Sequence, residues 1–126
     1  MDHPRLLLAD DSRAVREVVM HLLRDAGYQV DAVTDGWEAW RLLKKHRYDL
    51  LVTDLEMPRL HGYELISRCR AAAEFKTLPI IVLSSRTGSR SRNQALERGA
   101  DVFVAKPVNR QLVLRQVAQL LGRGSK

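Results

Sequence analysis

The chain is short of the features that mark several protein classes. It has one cysteine, Cys69, so no internal disulfide can form and the fold must hold without covalent staples. Four prolines and seven glycines are too few for a collagen-like or low-complexity chain. No apolar run approaches the roughly 18 to 20 residues that a membrane helix needs. The start, Met1-Asp2-His3-Pro4-Arg5, leads into only a short apolar stretch and does not read as a signal peptide. The expected location is therefore the cytoplasm, with no membrane contact. What is present is an ordinary globular composition, 45% hydrophobic and 29% charged, on 126 residues, a length that suits one domain around one core. Acidic residues are scarce in the second half alone. Residues 1 to 63 hold nine Lys and Arg against eleven Asp and Glu, and residues 64 to 126 hold twelve against four, so the net +6 lies entirely in the second half. Such a surface suits nucleic acid, anionic lipid or an acidic protein, and net charge alone chooses none of them.

Short apolar runs alternate with amphipathic segments, the pattern of a parallel sheet covered by helices on both faces. Leu6 to Ala9, Tyr28 to Val33, Leu50 to Thr53, Pro79 to Leu83 and Val102 to Val104 read as five strands. Ser12 is a suitable N-cap for a helix whose Val15, Val18, Val19, Leu22, Leu23 and Ala26 recur at spacings of three and four, and Gly27 stops it. Asp35 and Glu38 resemble a capping box for a second helix carrying Ala39, Trp40, Leu42 and Leu43 inward. A loop from Met57 to Gly62 precedes a helix near Tyr63 to Ala73, with Leu65, Ile66 and Cys69 inward. The polar, Arg-rich stretch Arg86 to Arg98 ends at Gly99, and Asn109 caps a last helix carrying Leu112, Val113, Val117, Leu120 and Leu121. The expected division is one domain over residues 1 to 121 and a flexible tail over 122 to 126.

In an open α/β sheet the functional site lies outside the carboxyl ends of the strands. Strand one ends in Asp10 and Asp11, strand three in Asp54, strand four in Ser84 and strand five in Lys106. Three carboxylates converging in one pocket repel one another unless a cation neutralises them. All-oxygen ligands, with no His or Cys at a strand end, favour Mg²⁺ or Mn²⁺ over zinc, and Mg²⁺ takes one or two carboxylates with waters and a phosphate oxygen. A hydroxyl and an ammonium beside that metal suit the remaining oxygens of a phosphoryl group. Asp54 stands alone at a central strand end, placed to act as a nucleophile and form an aspartyl phosphate, with Asp10 and Asp11 on the metal and Lys106 on the carboxylate and the incoming group.

At this point the chain resembles a response-regulator receiver domain of two-component signalling, over Leu6 to about Leu121. The resemblance is carried by Asp10-Asp11, Thr53-Asp54-Leu55-Glu56-Met57-Pro58 with Gly62, Ser84 after the apolar strand, Gly99-Ala100-Asp101, and Lys106-Pro107. It implies a flavodoxin-like, CheY-like (βα)5 three-layer sandwich with a parallel sheet in order 2-1-3-4-5. It also implies Mg²⁺ held by Asp11, Asp54 and the backbone carbonyl of Glu56 with help from Asp10, and transfer of a phosphoryl group to Asp54 from the phosphohistidine of a histidine kinase or phosphotransfer domain. Ser84 takes the position of the switch hydroxyl, Phe103 that of the switch aromatic, and the bond before Pro107 is expected to be cis. Within the family, Ser84-Ser85-Arg86-Thr87-Gly88 is most similar to receivers of chemotaxis-type and pilus-type hybrid histidine kinases. His61, Ser85 and Val108 depart from common family residues; they bear on the partner surface and on the phosphoryl lifetime, which in this family depends on the side chains at Glu56 and Arg86.

Other readings are weaker. A Mg²⁺-dependent phosphatase with an aspartyl nucleophile would need an acid/base Asp two residues later and usually a cap insertion, where this chain has Glu56 and no insertion. Dinucleotide binding needs a glycine-rich turn after strand one, and Ala9-Asp10-Asp11-Ser12-Arg13 has none. A basic nucleic-acid-binding module has no recognisable reader left once the βα units are assigned, so direct nucleic-acid binding is not expected. A receiver turns over no external substrate, so the chain is not expected to be an enzyme in the ordinary sense. Trp40 reads as core, Trp37 as partly exposed, Cys69 as a small buried hydrophobe, and His21, His46 and His61 as surface residues. Arg86, Arg90, Arg92 and Arg98 flank the fourth helix, which with strand five and the last helix forms the surface that family members remodel, and this basic face is expected to draw an acidic protein partner.

Overall fold

A computed structural model describes residues 3–86 and 88–124 of the chain. The element order is β1 Arg5–Ala9, α1 Arg13–Asp25, β2 Gln29–Val33, α2 Gly36–Lys45, β3 Leu50–Thr53, α3 Gly62–Ala71, β4 Ile80–Ser84, α4 Ser89–Arg98, β5 Val102–Ala105 and α5 Arg110–Gly124. A 3-10 turn over Ala73–Phe75 lies between α3 and β4. All neighbouring strands pair in parallel, in the order β2-β1-β3-β4-β5, which is the flavodoxin-like sandwich expected.

β1, β3 and β4 sit inside the sheet and are covered on both faces, so they carry unbroken apolar runs rather than an alternation. Side chains along a strand point alternately to either face. Leu6, Leu8, Leu50, Val52, Ile81 and Leu83 therefore pack with Val19, Leu22 and Leu23 of α1 and Val113, Val117 and Leu120 of α5. Leu7, Ala9, Leu51, Ile80 and Val82 face the other way, onto Ala39 and Leu43 of α2, Leu65, Ile66 and Cys69 of α3, and Ala95 of α4. Trp40 is half-buried against this second layer, edge-on to Phe75 with centroids 5.7 Å apart.

The helix starts follow local chemistry. Ser12 Oγ accepts the Val15 N–H at 3.3 Å, Asp35 Oδ1 accepts the Glu38 N–H at 2.9 Å, and Asn109 Oδ1 accepts the Leu112 N–H at 3.0 Å. The reciprocal half of the capping box differs: Glu38 Oε1 accepts from Thr34, hydroxyl at 3.0 Å and N–H at 3.4 Å, rather than from the Asp35 N–H. Val18 is 54% exposed and Ala26 is exposed, so the inward stripe of α1 is narrower than its spacing suggests. The helix expected to reach Ala73 stops at Ala71, where Ala72 turns extended, and a separate 3-10 turn follows. α5 runs through Gly124, so the tail expected from residue 122 is helical over its first three positions, and residues 125 and 126 lie outside the described residues. Thr87, within the segment singled out after β4, also lies outside them.

Candidate metal and phosphoacceptor site

The carboxyl ends of β1, β3 and β5 deliver charged side chains to one place. Asp10 follows β1, where its N–H donates to Val33 O at 3.1 Å, and it is completely buried. Its Oδ1 accepts the Ser12 N–H at 2.9 Å. Its Oδ2 is buried and has no aligned hydrogen-bond donor, although the Lys106 ammonium stands 3.0 Å away as an ion pair. Asp54 follows β3, its N–H donates to Ala9 O at 2.9 Å, and its carboxylate is nearly buried. Oδ1 of Asp54 accepts the Leu55 N–H at 2.7 Å, and Oδ2 is 3.5 Å from Lys106 Nζ. Asp11 is exposed at the mouth.

One carboxylate oxygen from each of Asp10, Asp11 and Asp54 lies within 4.8 Å of the others. Burial, and then the charge of Asp10, push the Asp54 carboxyl above the ordinary carboxylate range, against Lys106 and the main chain of Leu55 and Glu56, which pull it down. For Lys106, burial works against the charged form, but pairing with Asp10 and Asp54 outweighs it and holds the ammonium above its ordinary value. A hard dication fits this donor set: three converging carboxylates, one of them with a buried oxygen met by the Lys106 ammonium alone and by no aligned hydrogen bond. Asp10, Asp11 and Asp54 could hold it.

Lys106 reaches the site from just beyond β5, its N–H donating to Ser84 O at 2.8 Å and its bond to Pro107 cis, as expected. Ser84, the last residue of β4, is buried, and its Oγ accepts the Arg86 N–H at 3.0 Å. Phe103 is half-buried in β5, in register with Val82, and packs against the layer that α2, α3 and α4 cover.

Two contacts have no counterpart in a reading of the chain alone. The Arg86 guanidinium pairs with Glu56 at 2.8 Å across the mouth, and this pairing holds the Glu56 carboxyl below its usual range. Arg59 donates Nε at 3.1 Å and Nη2 at 2.8 Å to Asp35 Oδ2. Beside the mouth a groove of about 680 Å³ opens, lined in part by Asp11, Met57, Tyr63, Arg86 and Arg98. His21, His46 and His61 are exposed, as expected.

Residues 6–118 match the family model described as response regulator receiver domain. The curated response regulator Rre1 of Synechocystis is 36% identical over 119 residues, which cover 94% of this chain and 52% of that protein. Chemotaxis response regulator CheY4 of Vibrio cholerae shares 31% identity at a TM-score of 0.88, covering 94% of this chain and 99% of that one. The receiver domain of a sensor histidine kinase from Pseudomonas aeruginosa, solved with a magnesium ion coordinated in the active site cleft, shares 30% identity at a TM-score of 0.89, covering 96% and 99%. The chain spans about half the length of the Synechocystis and Mycobacterium regulators it matches. Both a chemotaxis regulator and a kinase receiver stand among the similar structures, so the resemblance to hybrid-kinase receivers is not singled out. No helix among the described residues is long and apolar enough to cross a membrane.

Proposed function

The chain belongs to the response-regulator receiver family, and from that premise we propose that it is a phosphoacceptor switch whose acceptor is Asp54. The supporting observation is the convergence of Asp10, Asp11 and Asp54 with the Lys106 ammonium 3.5 Å from Asp54 Oδ2. A carboxylate oxygen of Asp54 attacks the phosphorus of a phosphohistidine on a histidine kinase or phosphotransfer domain. The P–O bond forms as the P–N bond breaks, and the electron pair returns to the imidazole nitrogen. Asp10, Asp11, Asp54 and the Glu56 carbonyl would hold Mg²⁺, or Mn²⁺ in its place, which would supply charge neutralisation for the phosphoryl oxygens. Lys106 holds the acceptor carboxylate and then a phosphoryl oxygen. Ser84 gives up its bond to the Arg86 N–H and donates to the phosphoryl group, and Phe103 turns inward as α4, β5 and α5 are remodelled. Attack by water on the phosphorus later returns phosphate and the free carboxylate. The domain thus assists its own phosphorylation and dephosphorylation and turns over no other substrate.

Phosphotransfer from a histidine kinase to the wild type and to Asp54→Asn, in Mg²⁺ and in EDTA, tests this. Label is expected on the wild type in Mg²⁺ alone, and label retained by Asp54→Asn would remove Asp54 from the role. The α4-β5-α5 face is the output surface in this reading. On these elements Arg90, Arg92 and Arg115 are exposed, which suits an acidic protein partner in the cytoplasm. Arg90→Glu with Arg92→Glu is expected to slow association with that partner about 10-fold at low salt while phosphotransfer to Asp54 is unchanged. Association indifferent to both substitutions and to salt would assign the partner elsewhere.

A further inference from the structure

Arg59 holds a backbone conformation that its residue type disfavours. Its φ is +69°, and the Leu60 N–H donates to Pro58 O at 2.8 Å across it, the bonding pattern of the rare, strained γ-turn. Glycine would hold this turn without strain, whereas an L side chain persists there only where its surroundings over-determine it. The surroundings here are specific. Both Nε and Nη2 of Arg59 donate to Asp35 Oδ2, while the other oxygen of Asp35 caps α2 through the Glu38 N–H. Next to this clamp, α2 and the loop meet backbone to backbone: a Cβ on Gly36 would stand 2.0 Å from Leu60 O. At the far end of the loop the Gly62 N–H donates to Leu55 O at 3.0 Å, and a Cβ on Gly62 would stand 2.1 Å from Asp54 O. The main chain of Glu56 and Met57 therefore runs between two fixed points, one against Asp54 and one on α2.

We infer that Arg59 is a positioning residue for the metal and phosphoacceptor site, acting through its clamp on Asp35 to hold the β3–α3 loop in the conformation that presents the Glu56 main chain. The inference rests on the site assignment proposed above. Arg59 touches none of the three clustered carboxylates; it fixes the loop that begins at one of them. Supporting contacts of this kind around a metal site typically change metal affinity by about 10- to 100-fold when removed.

Calorimetric titration of the full chain with Mg²⁺ alone, beside its metal-free thermal midpoint, tests the role. Arg59→Gly, which accepts the positive φ, is expected to bind Mg²⁺ about 10-fold more weakly with an unchanged or slightly raised midpoint. Asp35→Asn keeps a good N-cap and loses the ion pair, and is expected to show the same loss, with no further loss in the double variant. Asp11→Asn separates the two readings. If it binds Mg²⁺ as the wild type does, the site assignment falls and the clamp role falls with it. If it loses Mg²⁺ while Arg59→Gly binds as tightly as wild type, the clamp role alone is overturned. Additive losses, or affinity and midpoint falling together in both variants, would make the clamp a plain stability contact and overturn it equally.

Discussion

Single residues at this site differ in how far they could be read ahead of the fold. Asp10, Asp11, Asp54, Ser84 and Lys106 each follow or close an apolar run, so the strand pattern alone placed them at one end of a sheet. Asp35 with Arg59 and Glu56 with Arg86 are pairs separated by 24 and 30 positions, with no periodicity linking them; only the packed chain reveals them. Cys69 is the opposite case, a helical-spacing hydrophobe that is fully buried. Burial pushes its thiol up to about 11 against the partial help of Arg70. The thiolate is the reactive form, so at pH 8 Cys69 is expected to stay unlabelled by a disulfide reagent while the chain is folded, and to react fully once denaturant unfolds it. Rapid labelling of the native chain, followed by absorbance of the released thiol, would contradict the buried placement.

Elements were legible in proportion to how strongly their pattern was forced. β1, β3 and β4 are buried on both faces and α1 carries a side-chain cap, so runs and caps marked them clearly. α4 buries only Ala95 and starts at Gly88 without a side-chain cap, so its sequence reads as little more than a polar, Arg-rich stretch. At the opposite end of the sheet from the site, β1, β2 and the lead into β3 are joined by ionised and phenolic groups. Arg5 Nη2 donates to Asp31 Oδ2 at 2.7 Å, and the Tyr48 hydroxyl donates to the same oxygen at 2.8 Å. Burial tends to raise the Asp31 carboxyl, but Tyr48 and Arg5 together hold it below its ordinary value of 3.8. Burial and the Asp31 carboxylate push the Tyr48 phenol up to about 12. A carboxyl depressed by folding stabilises the fold above its unfolded value and loses that contribution as pH falls through its folded value. Denaturant midpoints of wild type and Asp31→Asn are therefore expected to differ at pH 6 to 7 and to converge as acidification carries the pH below the ordinary 3.8 and through the lowered folded value, with solvent screening keeping the gap small because the pair is partly exposed. A gap that stayed constant with pH would show that the Asp31 charge is not its source.

At the scale of the whole molecule, the uneven charge has two separate consequences. The basic second half includes the exposed arginines of α4 and α5, while the acidic first half brings the carboxylates of Asp10, Asp11 and Asp54 within 4.8 Å of one another. The second arrangement works against folding, because like charges in a poorly solvated pocket repel and Lys106 neutralises only part of them. Asp54 shows the direction: its carboxyl is raised by burial and by Asp10, so the folded state holds that proton more tightly than the unfolded chain does. Linkage then requires the stability owed to this group to fall as pH rises from the ordinary carboxylate value through the raised one, and to return on acidification. Metal-free Asp54→Asn is accordingly expected to melt above wild type at pH 7, by roughly 2 to 5 °C for a domain of this size, and to lose that advantage toward pH 4. Saturating Mg²⁺ binds the folded state and not the unfolded chain, so it is expected to raise the wild-type midpoint and close most of the gap. A variant less stable than wild type in EDTA at pH 7 would mean that the Lys106 pairing outweighs the repulsion, and that the pocket carries no stored cost for a cation to relieve.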